Sequence, residues 1–223
     1  LFTGFLIGLS NGINVLVARF YGARHPKDVE KTVHSAAIIS AVAGVALLLI
    51  GLLGSPALLR LLNTKEDLLP GAILYLRVYF LGMPALALYN FGNAIFSAIG
   101  DTKKPLYFLS IAGVLNILLN LFFLVLCPKI QDAAWVAPWY IPDYGVGYVF
   151  VANILATGIQ TLCLLPYILE PLRGRVEPLF SFPLLKAMLR YSLPLLVLGV
   201  CGIMNQTLDR ILFPFLYTAA DAQ

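Results

Sequence analysis

Long apolar stretches with very few charges limit what this sequence can fold into. The stretch 33–54 contains no Asp, Glu, Lys or Arg, and five further stretches have a similar apolar character. A helix needs about 20 such residues to cross a bilayer, because lipid offers no partner for backbone hydrogen-bonding groups. We therefore predict an all-α, polytopic membrane helix bundle with about six transmembrane helices. The predicted spans are 1–20, 33–54, 72–99, 105–127, 145–168 and 191–216.

The composition supports this class and excludes several others. Of 223 residues, 60% are hydrophobic and 12% are charged, and the mean hydropathy is +0.88. A soluble domain has about 45–50% apolar and about 25% charged residues. A soluble enzyme, a disordered chain and a nucleic-acid-binding domain are therefore excluded. The sequence contains no P-loop, hydrolase or Cys/His metal motif. We expect a non-enzyme without a cofactor or a nucleotide, whose main partner is the lipid bilayer.

Loop charge predicts the orientation of these spans. Ten of the fifteen Lys and Arg residues lie in alternate loops, near 19–32, 100–105 and 169–190. Cytoplasmic loops of membrane proteins carry an excess of basic residues, so we predict that these three loops are cytoplasmic. The loop 55–69 holds a Leu-rich segment around Arg60, which favours a short interfacial helix on the outer face. The end of 169–190 alternates apolar and basic residues, which is typical of an amphipathic helix on the inner leaflet.

Polar side chains inside the spans carry the functional signal. They recur three or four residues apart, so each set lies on one helix face. Such stripes favour a shared hydrated cavity, and its candidate lining residues are Asn90, Asn93, Asn116, Asn120, Asn153, Thr157 and Asn205. In the alternative interpretation these side chains join helices through hydrogen bonds of about 0.6–2 kcal/mol each. The small residues Gly4, Gly8 and Gly12 predict a close packing face on the first span.

Asp209 and Arg210 follow a long apolar run in the sixth predicted span. A charge inside the membrane marks a functional site by default, so they are candidates for an ion or phosphate site. Alternatively, the span ends near 208 and both charges lie at the outer interface. The chain begins without an initiator Met or a basic leader segment, and we interpret it as a fragment.

Two stretches resemble a known family of transporters. The segment 8–36, GLSNGINVLVARFYGARHPKDVEKTVHSA, and the segment 93–123, NAIFSAIGDTKKPLYFLSIAGVLNILLNLFF, are similar to MATE-type multidrug exporters. The turn at 100–105, GDTKKP, is the most specific element of this resemblance, which is clearest over 1–126. The segments 143–167 and 184–215 look closer to polysaccharide or lipid-linked oligosaccharide flippases, which are a sister family in the same superfamily.

The resemblance implies a two-lobe transporter of 12–14 helices that works by alternating access. Residues 1–168 would form a partial first lobe, family helices two to six, with the first helix missing. Residues 169–190 would link the lobes, and 191–223 would begin the second lobe as helix seven. The implied function is efflux of small organic cations or amphiphilic drugs by H⁺ or Na⁺ antiport, in a bacterial-type plasma (inner) membrane. No residue here matches the coupling carboxylate of the family's first helix, so we expect the fragment to be inactive alone.

Two other functions stay open from the sequence. A lipid-linked oligosaccharide flippase would use Arg210, and also Arg77, to contact pyrophosphate, because guanidinium favours bidentate phosphate contacts. A non-transporting membrane fragment would assemble with a partner chain. A flippase needs cationic residues facing its cavity, whereas a cation exporter needs a neutral polar or acidic lining.

Overall fold

The computed structural model describes residues 2–61, 65–131, 133, 136, 138, 140–169, 181–198 and 201–202. These ranges form helices and turns and contain no strand, so the predicted all-α class is confirmed. In chain order the helices are α1 Phe2–Gly22, α2 Pro26–Leu61, α3 Leu69–Leu81, α4 Met83–Ala98, α5 Lys103–Leu121, α6 Cys127–Lys129, α7 Tyr148–Leu169 and α8 at 182–198. A short 3₁₀ segment, Glu66–Leu68, precedes α3, and another, Pro142–Gly147, precedes α7. A π-helical segment, Phe122–Leu126, joins α5 to α6.

Five described segments are long and apolar enough to cross a membrane. They are Phe2–Gly22, Pro26–Arg60, Glu66–Ala98, Lys103–Lys129 and Tyr148–Tyr167. These segments correspond to the first five predicted spans, so the chain is a multi-pass membrane protein. Most of the sixth predicted span, 191–216, lies outside the described residues.

The α2 helix corrects one prediction. Residues 55–61 continue α2 for its last two turns and do not form a separate interfacial helix. The helix therefore has 36 residues and is roughly 54 Å long, well beyond the span of a bilayer core. Pro56 lies inside this helix and has no N–H, so the carbonyl of Leu52 loses its helical donor. The Nε–H of Arg77, from α3, donates to that carbonyl over 3.1 Å and replaces the missing bond.

The third span is divided where the sequence places Gly82 and Pro84. α3 ends at Leu81, Gly82 lies between the helices, and α4 begins at Met83 with Pro84 in its first turn. The close neighbour of Gly82 is the side chain of Ile154 on α7, which would lie 3.1 Å from an added Cβ. The break therefore lies against α7, where a larger residue would meet a branched side chain.

The loops near 19–32 and 100–105, both predicted to be cytoplasmic, share one end of the bundle. Residues 170–180 of the third such loop lie outside the described residues. Tyr21, Pro26, Ile99 and Tyr167 line one pocket, so the ends of α1, α4 and α7 and the start of α2 meet there. We call this the basic-loop end. The turn into α5 also lies here, because the Lys104 ammonium is 5.2 Å from the centroid of the Tyr167 ring. α1 and α7 both begin at the opposite end and run towards the basic-loop end.

The turn between α4 and α5 has the geometry expected of the 100–105 motif. Gly100 has a φ of 83°, a left-handed conformation that glycine adopts without steric cost. Its neighbour Asp101 donates its backbone N–H to the carbonyl of Phe96 over 2.9 Å and forms a 3.1 Å ion pair with Lys104. The ion pair is partly exposed and lies within the turn and the first turn of α5.

α4 is the central helix of the bundle and packs against α1, α2 and α7. Its Phe91 is completely buried, in a cluster with Ile13 of α1, Val33 of α2 and Leu164 of α7. α4 can approach α2 closely because Gly44 of α2 has no side chain. A Cβ added at Gly44 would lie 2.8 Å from the Cα of Pro84 on α4. The core is therefore built around α4.

The α8 helix differs from the predicted arrangement of this segment. The sequence predicts an amphipathic surface helix ending near 190 and a separate span from 191. The described helix crosses that boundary without a break, from 182 to 198. Met188 is completely buried and belongs to the same cluster as Ile13 and Phe91. Met188 of the predicted surface helix thus packs against the bundle core.

Candidate substrate cavity

A cavity of about 270 Å³ lies between α1, α3, α4 and α7. It is near the end of the bundle where α1 and α7 begin, opposite the basic-loop end. The lining residues are Thr3, Tyr79, Gly82, Met83, Leu86, Phe150, Asn153, Ile154 and Thr157. Every one of these residues is uncharged, so the cavity offers only hydrogen-bonding groups and apolar surface.

Asn153 and Thr157 form the polar wall of the cavity on α7. They are one turn apart, and the Thr157 hydroxyl donates to the Asn153 side-chain carbonyl over 3.3 Å. Asn153 is exposed, and its amide can both donate and accept. These two predicted candidates therefore lie together in one cavity.

Thr3 and Tyr79 complete the polar surface, and the sequence reasoning missed both. Their hydroxyl oxygens are 3.0 Å apart and hydrogen-bonded, which joins α1 to α3 across the cavity. Thr3 is a single hydroxyl near the start of the chain, and Tyr79 lies within an aromatic and aliphatic run. Neither residue belongs to a polar stripe, so periodicity gives no signal for them. Only the packing of α1 on α3 brings them together.

Aromatic rings form the remaining side of the cavity. Phe150 of α7 packs edge-on against Tyr75, with ring centroids 3.9 Å apart, and against Tyr79, at 6.3 Å. Ring faces attract cations by about 0.5–2 kcal/mol, depending on desolvation. An uncharged cavity with such a wall can therefore bind an organic cation as well as a neutral amphiphile.

Asn90 and Asn93 lie on α4 beyond the cavity lining. The Asn90 amide donates to the carbonyl of Leu86, one turn back on its own helix, over 2.8 Å. Leu86 lines the cavity, so Asn90 is one turn from it, towards the basic-loop end. Asn93 is partly buried on the following turn. The structure therefore places these two candidates next to the cavity and not in its wall.

Asn116 and Asn120 form a pair on α5. The Asn120 amide donates to both the backbone carbonyl and the side-chain carbonyl of Asn116, over 2.9 and 2.7 Å. α5 packs mainly against α7, and none of the residues described around the cavity comes from α5. This pair is thus not brought together with Asn153 and Thr157. The remaining candidates, Asn205, Asp209 and Arg210, lie outside the described residues.

Other polar residues of the spans join helices, as the alternative interpretation states. Asn14 of α1 donates to the carbonyl of Ala94 over 2.8 Å, and Ser40 of α2 donates to that of Ala87 over 2.7 Å. The Thr161 hydroxyl of α7 is 2.9 Å from the carbonyl of Ala85, which accepts from it. All three acceptors lie on α4. Backbone carbonyls of the central helix therefore tie α1, α2 and α7 together.

Gln160 is a buried polar residue of α7 that lies outside the cavity lining and is hydrogen-bonded to Tyr89 of α4. Its side chain is 6% exposed, and its Nε2 donor has no hydrogen-bond partner among the described residues. It lies one turn after Thr157 on α7, towards the basic-loop end. Buried amides of this kind are usually satisfied by an internal water.

Arg77, the second candidate for a pyrophosphate contact, lies on α3 and faces α2. Its Nε–H donates to the Leu52 carbonyl, and the side chain is exposed. Pro56 of α2 therefore explains the position of Arg77, because the proline leaves the Leu52 carbonyl without its helical donor. The acidic residues Asp28, Glu30, Glu66, Asp67 and Asp101 lie at helix ends or in turns, away from the cavity.

Comparisons with known proteins agree with this architecture. The sequence profile of the MatE family matches residues 1–122. Two proteins of Bacillus subtilis (strain 168) are similar. The probable multidrug resistance protein YoeA is 29% identical over 198 residues, which cover 89% of this chain and 40% of YoeA. The probable multidrug resistance protein YpnP is 33% identical over 132 residues, which cover 59% of this chain and 30% of YpnP.

A solved structure shows the same fold. The crystal structure of a MATE in complex with MaD3S superposes with a TM-score of 0.74 at 22% sequence identity. The superposition covers 96% of this chain and 46% of that protein. The chain therefore spans less than half the length of the proteins that it matches.

Proposed function

Because this chain belongs to the MatE family, we propose that it forms part of a multidrug efflux transporter driven by an ion gradient. The substrates are small organic cations or amphiphilic drugs, and the counter-ion is H⁺ or Na⁺. Transport proceeds by alternating access, with the cavity opening in turn to either side of the membrane. The relatives named as multidrug resistance proteins support the substrate class.

The main support for this proposal is the uncharged cavity between α1, α3, α4 and α7. Its aromatic wall of Tyr79 and Phe150 offers apolar contact and ring faces, and its amide and hydroxyl groups on α7 offer hydrogen bonds. Such a surface binds many drugs weakly, because it has no fixed charge that demands one partner geometry. This chemistry is suited to broad substrate recognition.

Ion coupling requires a group that binds or releases H⁺ or Na⁺. The residues described around the cavity include no charged side chain. We therefore assign substrate contact to this wall and the ion-binding step to residues outside it. Helices α1 to α7 belong to the first lobe, and the basic-loop end faces the cytoplasm.

The experiment measures efflux of a cationic dye by the full-length protein in bacteria that lack their own exporters. Asn153→Ala removes one amide from the cavity, and losing a hydrogen bond of about 0.5–1.5 kcal/mol raises the apparent KM roughly 2- to 10-fold. Phe150→Ala removes the aromatic wall and is expected to affect cationic substrates most. The matched control is Leu155→Ala, also on α7, at a position that is 43% exposed and outside the cavity lining.

The expected result is a higher KM for both cavity variants with unchanged efflux for Leu155→Ala. Equal KM values for all three variants and the wild type would remove this cavity from the transport pathway. Absence of dye efflux by the wild type, together with export of lipid-linked glycans, would replace drug efflux by the flippase function.

A further inference from the structure

Another cavity, of about 500 Å³, lies at the basic-loop end and shares no lining residue with the candidate substrate cavity. Its floor is apolar, because Val33 of α2 and Ile95 and Phe96 of α4 are only 4–9% exposed. Its rim carries two tyrosine rings, Tyr21 of α1 and Tyr167 of α7, which are 55% and 45% exposed. The cavity therefore becomes more polar from floor to rim. We call it the basic-end cavity.

The basic-end cavity lies at the depth where the helices leave the apolar layer. α1 ends at Gly22 and α2 begins at Pro26, and both Tyr21 and Pro26 line the cavity. Tyrosine is enriched at this depth of a bilayer, because its ring contacts acyl chains while its hydroxyl reaches the headgroups. The gradient of the cavity thus matches a molecule with an apolar tail and a polar head.

A cationic side chain lies on the α1–α2 side of the rim. Arg24 lines a groove of about 610 Å³, which is continuous with the basic-end cavity because the two share Tyr21, Pro26 and Val29. Arg24 has a φ of 57°, in the left-handed region, and its side chain is exposed. Its guanidinium can form two parallel hydrogen bonds to a phosphate group.

A second cationic side chain lies on the α5 side of the rim. The Lys104 ammonium is 5.3 Å from the centroid of the Phe96 ring and 5.2 Å from that of Tyr167, and both rings line the cavity. Asp101 accepts from this ammonium over 3.1 Å. The Lys104 side chain is partly exposed and its ammonium has three N–H donors, so an anion can also approach it.

The charge balance of this end favours an anionic occupant. The segments 19–32 and 100–105 contain six Lys and Arg against three Asp and Glu, a net charge of +3 with histidine neutral. Each Lys or Arg near the membrane surface strengthens the binding of an anionic lipid about fivefold. Glu30 also lines the cavity, and its carboxylate opposes an anion there. The affinity is therefore expected to rise when this carboxylate is removed.

We propose that the basic-end cavity binds an anionic phospholipid from the leaflet at this end of the bundle. One acyl chain lies along the apolar floor of Val33, Ile95 and Phe96. The glycerol esters lie beside the tyrosine hydroxyls of the rim, and the phosphate lies on the side of Arg24 and Lys104. A cationic amphiphile would be repelled by the net positive charge, and a zwitterionic phospholipid would gain less from it.

The test measures contact quenching of tryptophan fluorescence by brominated lipids in the full-length protein, reconstituted in vesicles. Tyr21→Trp places the fluorophore at the rim, after replacement of the native tryptophans, including Trp135 and Trp139, by Phe. The vesicles mix phosphatidylglycerol with phosphatidylethanolamine, and one or the other carries dibrominated acyl chains. The matched control is Tyr107→Trp on α5, also an exposed tyrosine near the basic-loop end but outside the cavity lining.

The expected result at position 21 is a relative binding constant that favours phosphatidylglycerol by at least about fivefold. At position 107 the preference is expected to stay below about twofold, because that position contacts bulk lipid. Quenching of equal strength by the two brominated lipids at position 21 would overturn the proposal. Absence of quenching by both would also overturn it, because the cavity would then be filled by protein.

Charge substitutions in the Tyr21→Trp protein locate the headgroup. Lys104→Gln and Arg24→Asn are each expected to lower the preference about fivefold, and asparagine tolerates the left-handed backbone at position 24. Lys103→Gln changes the net charge equally but is expected to change the preference less than about twofold. Glu30→Gln is expected to raise the preference several-fold.

Equal effects of Lys103→Gln and Lys104→Gln would overturn the proposal, because they would indicate general surface charge and no defined site. A lower preference in Glu30→Gln would also overturn it and would indicate a cationic headgroup. None of these measurements involves transport. Failure of the proposed efflux function would therefore leave the lipid site untouched, and failure of the lipid site would leave the efflux function untouched.

Discussion

Substitution of Gly12 on α1 by Ala tests how closely α8 packs against α1 at Ser192. The new Cβ would lie 2.6 Å from the Ser192 nitrogen and 2.8 Å from its Cα. Both are backbone atoms, so the contact can only be relieved by moving one helix. That movement stretches the bond from the Ser192 hydroxyl to Leu9.

The magnitude follows from three terms. Overpacking a close contact costs about 1–3 kcal/mol, and losing the hydrogen bond costs about 0.5–1.5 kcal/mol. Replacing a glycine inside a helix by alanine returns about 1 kcal/mol of helix propensity. The contact between α1 and α8 is therefore weakened by roughly 0.5–3.5 kcal/mol.

The control substitution is Gly158→Ala on α7. An added Cβ there has no neighbouring atom within 4 Å, so only the propensity gain of about 1 kcal/mol applies. Thermal unfolding of the purified full-length protein in detergent is the measurement. We expect a lower Tm for Gly12→Ala and an equal or higher Tm for Gly158→Ala. A Tm for Gly12→Ala equal to that of Gly158→Ala would refute the close packing of α8 on α1.

Three further predictions concern single interactions. Arg77→Met removes the donor to the Leu52 carbonyl and is expected to lower the free energy of unfolding by about 1.5–3 kcal/mol, the range for a hydrogen bond from a charged group. Thermal unfolding measures this loss, and an unchanged Tm would mean that water satisfies the carbonyl. Thr161→Val removes the hydrogen bond to the Ala85 carbonyl and is expected to lower the free energy of unfolding by about 0.6 kcal/mol, and by at most about 1.7 kcal/mol, in the same assay. A larger loss would indicate a wider disturbance of α7. Arg210→Ala in the full-length protein is expected to leave drug resistance intact, and loss of glycan export in that variant would favour the flippase function.

The first five spans and their order could be predicted from the sequence because lipid imposes strict physical demands. A stretch such as 33–54 has no stable place except a helix in the bilayer, and the loops near 19–32 and 100–105 lie at one end of the bundle. The division of the third span at Gly82 and Pro84 was also predictable, since proline removes a backbone donor. The glycine face of α1 was recognised from its spacing alone.

Other features depend on tertiary contacts that periodicity does not contain. The segment 55–69 was predicted to hold a separate interfacial helix because it is rich in Leu around Arg60, yet residues 55–61 continue α2. Arg77 from another helix supplies the donor that Pro56 lacks. Asn14 and Asn153 are both intramembrane asparagines. Asn14 links two helices only because α1 packs on α4, whereas Asn153 lines the cavity. A sequence pattern assigns a residue to a helix face but does not identify the neighbour of that face.

Substrate protection at position 153 tests the central claim most directly. Asn153→Cys places a thiol in the wall of the cavity, and the full-length variant is treated with a thiol reagent with and without a cationic drug. The account predicts that a saturating drug slows this reaction several-fold, and that a thiol at the exposed position 155, outside the cavity lining, is unaffected. Equal reaction rates at 153 with and without every transported drug would show that this cavity does not hold the substrate.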